Sequence, residues 1–335
     1  MDGGGRALKK FMNSADSMLH ESLAGFARCH GDIVELDPEF RFVRRRALKP
    51  GKVALISGGG SGHEPLHAGF VGRGMLDAAC PGQVFTSPTP DQMVAAAEAV
   101  DSGGGVIFIV KNYAGDVMNF SLAAEMCAKS ATVLTDDDVA VEKSTHSMGR
   151  RGVAGTMVVE KVMGAAAERG DSLEKVRSLG ERANLATRSM GVALTSCTVP
   201  AVGRPTFDIG DGEMEMGVGI HGEPGRRRVA LLAADAIAAE IVQAIATDLV
   251  LDKGEEVLLL VNGFGATPSL ELYLMYDAAA RNLAARGVKI TRSLVGNYVT
   301  SLDMAGCSIT VTRLDPDLAA LWDAPVHTAA LRWLA

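Results

Sequence analysis

A chain of 335 residues with 47% hydrophobic content is long enough for about two domains and a sizeable core. A formal charge of −7, only 5% aromatic residues and no basic block argue against a nucleic-acid surface. The longest apolar runs, 106–110 and 257–261, are strand-sized and far short of the roughly 20 residues a membrane-spanning helix needs. The start of the chain lacks an apolar signal core. The five cysteines are scattered with no C-x-x-C pair, and no histidine or cysteine cluster has zinc spacing. We expect a cytoplasmic protein with reduced thiols and no metal.

In chain order, residues 1–8 read as a disordered extension. Val53–Ser57 is an apolar run between Pro50-Gly51 and a glycine cluster, and predicts a buried strand. Pro90–Val100 predicts a helix: Thr89 stands at the N-cap, proline at the first position and Gln92 three residues after the cap. Val106–Val110 and Thr132–Thr135 predict strands, with a helix over Leu122–Lys129 between them. A helix over Val153–Arg169 ends at Gly170, and Ser172 caps a second one running towards Arg188. Val192–Thr195 and Glu213–Ile220 predict strands, Ala230–Leu249 a helix and Val257–Val261 a buried strand. A long helix over Ser269–Arg286 and strands over Ile290–Leu294 and Ser308–Leu314 complete the set.

Strands alternating with helices imply an α/β fold with a mainly parallel sheet flanked by helices in the first half. The second half is less regular and predicts a second α/β domain with a mixed sheet. The boundary is placed near Gly191, giving domains over 9–190 and 191–335.

Three stretches carry chemistry. Ser57–Pro65 reads S-G-G-G-S-G-H-E-P after a strand, where backbone N–H groups of a glycine turn can meet a ligand's oxygens. It lacks the lysine of a nucleotide P-loop and the spacing of G-x-G-x-x-G. What remains is a glycine cradle followed by His63, a residue able to donate or accept a proton near neutral pH. Lys111-Asn112-Tyr113-Ala114-Gly115-Asp116 follows the strand over 106–110, and two strand ends of one parallel sheet can face one crevice. There Lys111 is a donor, and Asp116 is either a base or a helix cap. Gly217–Gly225 reads G-V-G-I-H-G-E-P-G, and His221 between glycines exposes an imidazole nitrogen able to add to a carbonyl. Asp136-Asp137-Asp138 reads as a solvated turn or helix start, and Arg150-Arg151 and Arg226–Arg228 read as charged surface. Asn262–Pro268 is a further glycine loop, assigned to folding.

These stretches, together with Phe85–Gln92, Gly149–Thr156 and Ser293–Gly306, closely resemble the substrate-binding subunit of dihydroxyacetone kinases, from about Lys9 onward. The resemblance implies that His221 forms a hemiaminal with the ketone carbon of dihydroxyacetone. It implies that Gly60, Ser61, Gly62, His63, Lys111 and Asp116 bind the substrate's hydroxyls, that Asp116 is the base and that His63 assists proton transfer. Covalent capture rejects polyols of the same size, which a noncovalent pocket separates by only about 1–3 kcal/mol. Fused members of the family continue into an all-helical domain holding the nucleotide and Mg²⁺. With this chain ending at Ala335, the resemblance places ADP or ATP and Mg²⁺ on a separate helical kinase subunit. That subunit is recharged by a phosphotransferase-system donor or binds ATP. The resemblance also implies a homodimer, and it leaves two alternatives open: a ketone sensor that controls transcription, and a kinase subunit for a four-carbon ketose such as erythrulose.

Overall fold

The computed structural model describes residues 9–141, 149–223 and 225–333, so the extension expected at 1–8 lies outside the described residues. Helix α1 (Met18–Cys29) leads into β1 (Val34–Leu36), β2 (Val43–Arg45), β3 (Ala54–Ser61), β4 (Gly72–Arg73) and β5 (Ala78–Val84). Then come α2 (Pro90–Val100), β6 (Val106–Lys111), α3 (Ala114–Met126) and β7 (Ser130–Thr135). The first sheet runs β1-β2-β5-β3-β6-β7. Its β5-β3-β6-β7 block is parallel, and β2 and β1 join it by antiparallel pairing. Every side chain of β3 and β6 is buried, as expected where helices cover both faces.

Helix α2 forms as its cap signals predict, with the Thr89 N–H donating to Gln92 Oε1 at 3.0 Å. Helix α3 begins at Ala114, eight residues ahead of the expected Leu122, and so carries Asp116 in its first turn. The glycine at 115 masked this helix, and burial of Phe120 and Ala123 supplies the stability that propensity lacks. Helix α4 (Gly155–Arg169) is buried along its whole face from Gly155 to Ala167 and ends at Gly170 with φ 96°. Helix α5 (Leu173–Leu185) is capped by Ser172, whose hydroxyl accepts from the Lys175 N–H, and stops short of Arg188.

The chain then enters β8 (Thr187–Ala193), β9 (Glu213–Met216), β10 (Arg227–Ala230), α6 (Ala234–Leu249), β11 (Glu256–Gly263), α7 (Ser269–Ala285), β12 (Lys289–Gly296) and β13 (Gly306–Arg313). The second sheet, β10-β9-β8-β13-β11-β12, is mixed: β11 and β12 are parallel and the other pairings antiparallel. The boundary expected near Gly191 falls inside β8, where Gly191 pairs with Ser308. Besides α1, β1, β2, β4, β5 and β10, the sequence did not predict α8 (Pro316–Asp323), β14 (Val326–Thr328) and β15 (Arg332–Trp333) at the end of the chain. They return to the first half, with β14 pairing β4 and the Ala330 N–H donating to Gly69 O at 2.9 Å. No helix among the described residues is long and apolar enough to cross a membrane.

Candidate active site

Beyond Ser57, β3 parts from β6 but stays paired to β5, and a crevice opens at the carboxyl end of the parallel block. The expected glycine loop is therefore corrected: Gly58, Gly59, Gly60 and Ser61 continue the strand and are buried, and a short 3₁₀ turn over Ala68–Phe70 follows. Their lack of side chains serves close approach. A Cβ on Gly59 would lie 2.2 Å from Lys111 Nζ, so the lysine passes directly over the strand. Ser61 Oγ donates to Gly82 O at 2.7 Å, and the Gly62 N–H donates to Glu64 Oε2 at 2.9 Å. These two polar groups are thus engaged within the protein, whereas Gly60 lines the cavity described below.

Lys111, fully buried at the end of β6, donates to Gly58 O at 3.0 Å and lies 3.4 Å from Asp116 Oδ2. Asp116 is not the cap of α3, a position held by Tyr113. It sits inside the first turn, is buried, and accepts a hydrogen bond from Ser87 Oγ. The helix N-terminus favours its negative charge. Behind the lysine lie two residues the sequence did not single out. His67 Nε2 is 2.9 Å from Lys111 Nζ, and His67 Nδ1 is 2.6 Å from Glu160 Oε1 on α4. Burial, reinforced by the Lys111 charge, pushes the His67 ring well below its ordinary pKa, so it is neutral and accepts from the ammonium. Burial also raises Glu160 to about 8, against the opposing pull of Lys111.

His63 is buried, with Nδ1 2.8 Å from Thr300 O. A carbonyl only accepts, so Nδ1 carries the proton and Nε2 is left as an acceptor. No group among the described residues satisfies that Nε2. Burial first, and the neighbouring His221 and Lys111 second, hold this ring well below the usual histidine pKa. The backbone just before Thr300 is held by the glycine loop assigned to folding: Asn262 donates to Val299 O at 2.7 Å and accepts from the Val299 N–H at 2.8 Å.

His221 comes from the loop after β9, yet its ring lies edge-on to three rings of the first half. Its centroid is 4.5 Å from that of His63, 5.3 Å from Phe85 and 4.4 Å from Tyr113. Phe85 holds φ 56°, a strained value for a bulky residue, and stacks on His63 at 5.0 Å. A cavity of about 460 Å³ is bounded by Gly60, Phe85, Ser87, Tyr113, Asp116 and His221. The nucleophile and base predicted from separate stretches thus face one space, with His63 against the nucleophile.

Glu223 completes this side. Its Oε1 is 3.3 Å from His221 Nδ1, and its Oε2 accepts the His221 N–H at 3.1 Å. Burial works to raise this carboxyl, but the hydrogen bond and charge of His221, together with Arg151, outweigh it and hold Glu223 at about 2. Arg151 was expected at the surface and is instead buried. It binds Asp138 Oδ2 through Nε at 2.8 Å and donates to Gly217 O at 2.8 Å. Asp137 and Asp138 are likewise buried and not a solvated turn, since Asp137 accepts the N–H groups of Val153 and Gly155 at the start of α4. Arg227 and Arg228 do sit at the surface, paired with Glu240 and Glu215.

A two-sheet α/β scaffold that sets a part-exposed imidazole and a buried carboxylate on one small cavity has the makings of a small-molecule site. Comparison with known proteins narrows the class. The Dak1 domain family matches residues 24–330, and the chain belongs to this family of kinase subunits. It is 47% identical to the dihydroxyacetone-binding subunit DhaK of a PTS-dependent dihydroxyacetone kinase of Listeria innocua, covering 96% of this chain and 100% of that one. It is 46% identical to the corresponding subunit of the PEP-dependent enzyme of Escherichia coli, over 97% and 99%. Among solved structures, the dihydroxyacetone kinase of C. freundii with AMP-PNP and Mg²⁺ is 34% identical with TM-score 0.87, and 97% of this chain covers 61% of that one. The dihydroxyacetone kinase operon co-activator Dha-DhaQ is 32% identical with TM-score 0.88, over 92% and 97%.

Proposed function

We propose that this chain is the dihydroxyacetone-binding subunit of a two- or three-component kinase. A ring nitrogen of His221 adds to the ketone carbon as a hemiaminal and fixes a terminal hydroxyl against Asp116. Asp116 takes the hydroxyl proton as the oxygen accepts a phosphoryl group from a nucleotide-carrying helical partner, giving dihydroxyacetone phosphate. The unsatisfied His63 Nε2 accepts a hydrogen bond from the substrate, Lys111 counters the charge on Asp116, and Gly60, Ser61 and Gly62 form the wall. Fixing the alcohol on a tethered ketone turns a bimolecular encounter into a positioned step. The carrying observation is that His221 and Asp116 line one cavity although they come from the two halves of the chain.

ADP or ATP with Mg²⁺ belongs on the partner. Relatives of matching length named PTS-dependent and PEP-dependent favour recharging by a phosphotransferase-system protein. A cytoplasmic homodimer in glycerol metabolism, built from one domain around each large sheet, completes the proposal. The test mixes the purified chain with a helical nucleotide subunit and donor, and follows dihydroxyacetone phosphate. No product with any such partner overturns it.

Two observations favour variants. A relative 39% identical is named D-erythrulose kinase, so a four-carbon ketose is the alternative substrate, separated by comparing kcat/KM for the two ketoses. The similarity to a co-activator favours a sensor. A sensor needs the nucleophile but not a working base, and the intact Ser87–Asp116–Lys111 arrangement supports catalysis.

A further inference from the structure

The loop over 217–223 does more than carry His221: one of its side chains, Glu223, closes on Nδ1 of that ring. His221 Nδ1 lies 3.3 Å from Glu223 Oε1, while the other oxygen of that carboxylate accepts the His221 backbone N–H at 3.1 Å. The carboxylate is thereby anchored to the same residue whose ring it faces. Gly219 is cut away to admit it, since a Cβ there would lie 2.0 Å from Glu223 Oε2 and 2.6 Å from Arg151 Nη1. Arg151 stands 4.0 Å from Glu223, is fixed by Asp138, and ties down the Gly217 carbonyl at the start of the loop. A carboxylate can only accept, so a ring proton shared across this contact sits on Nδ1 and leaves Nε2 its lone pair.

We propose that Glu223 is a positioning residue for His221: it selects the Nδ1-protonated tautomer, leaving Nε2 as the nucleophile, and stabilises the imidazolium formed during addition. This deepens the hemiaminal reading and rests on it. In the step, the Nε2 lone pair forms the bond to the carbonyl carbon and the C=O π pair moves to oxygen. That oxygen takes one proton from water, and Nδ1 returns one proton to water past Glu223, so the neutral hemiaminal is a one-to-one addition product. The logic is that of a carboxylate orienting a catalytic imidazole, where loss of the acid leaves the wrong tautomer populated.

The test uses full-length protein with ¹⁵N-histidine labelling, read by NMR, and [2-¹³C]dihydroxyacetone as the probe of the adduct. Wild type is expected to show His221 protonated at Nδ1 and the ketone carbon moved into the tetrahedral range. Glu223→Gln keeps the shape and can still accept the His221 N–H, but its amide can donate to Nδ1. It should populate the Nε2-protonated form and weaken the adduct about tenfold to a hundredfold, the range for losing a hydrogen bond to a charged group. Glu223→Asp retains the charge and should recover part of both signals, which a merely structural role does not predict. The proposal is overturned if wild-type His221 is protonated at Nε2, a result that needs no variant. It is also overturned if Glu223→Gln forms the adduct within about twofold of wild type. Absence of any adduct in wild type with His221 protonated at Nδ1 instead counts against the hemiaminal itself.

Discussion

The two sides of the pocket are built on opposite principles. On the side of the first sheet, Lys111 and Asp116 have side chains 0% and 4% exposed, and every charge is answered by another buried group. On the side of the second sheet, the side chains of His221 and Glu223 are 18% and 35% exposed and sit on a glycine-rich loop. The proposed base is thus held among buried partners, which sharpens electrostatic interactions. The proposed nucleophile is held where a ligand can reach it and leave again. A reversible covalent trap needs the second arrangement, and a proton acceptor that must discriminate one hydroxyl needs the first.

The largest break in this division comes from removing the nucleophile. His221→Ala should lower turnover of dihydroxyacetone by on the order of 10⁴-fold or more, as for loss of a covalent nucleophile, and abolish the ¹³C adduct signal. Because the ring is only partly buried, the melting temperature should move little. Asp116→Asn should act on the other side alone: kcat falls by about 10²–10⁴-fold, the range for general-base loss, while the adduct still forms. If both variants lose the adduct, the two sides are not separable and the division fails.

Gly59→Ala probes the wall between them. Its added carbon meets Lys111 Nζ at 2.2 Å, and the lysine is fully buried. The expected cost is about 1–3 kcal/mol for overpacking, seen as a lower denaturant midpoint. Turnover should fall more than adduct affinity, since the shift displaces Lys111 from Asp116 before it reaches His221.

How much of this was legible differs between the two sides as well. Strand-end chemistry and residue type picked out His63, Lys111, Asp116 and His221 without any fold, because glycine runs and a histidine between glycines are local signals. Glu223 was within reach too, two residues from the nucleophile in the same motif. Ser87, His67 and Glu160 were not. Glu160 sits in a helix that reads as ordinary, and only the burial of α4 on every side turns it into a partner for His67. Arg151 and the aspartates at 137 and 138 read as surface for the same reason: consecutive charges look solvated until packing pairs them. Helix α8 and strand β14 depend on a long-range return to β4 that no periodicity records.

The smallest expected effect is also the one that tests whether the buried side is as dry as its geometry implies. Burial raises Glu160 to about 8 from an ordinary 4.5. A carboxyl whose pKa is higher folded than unfolded gives its full stabilising contribution below the unfolded value. It loses that contribution as pH climbs through the folded one. Glu160→Gln does not titrate and keeps an oxygen for His67 Nδ1, so it should gain on wild type as pH rises. The gain should be roughly 1 kcal/mol between about pH 6.5 and 7.5, or roughly 1–2 °C in melting temperature. Wild type alone cannot show this, because burial holds the neighbouring Lys161 down to about 7, and that group acts with the opposite sign over the same range. The difference between variant and wild type removes the lysine from the comparison. A difference that stays flat from pH 6 to 8 would mean that water reaches Glu160, and with it the far end of the chain His67–Lys111–Asp116.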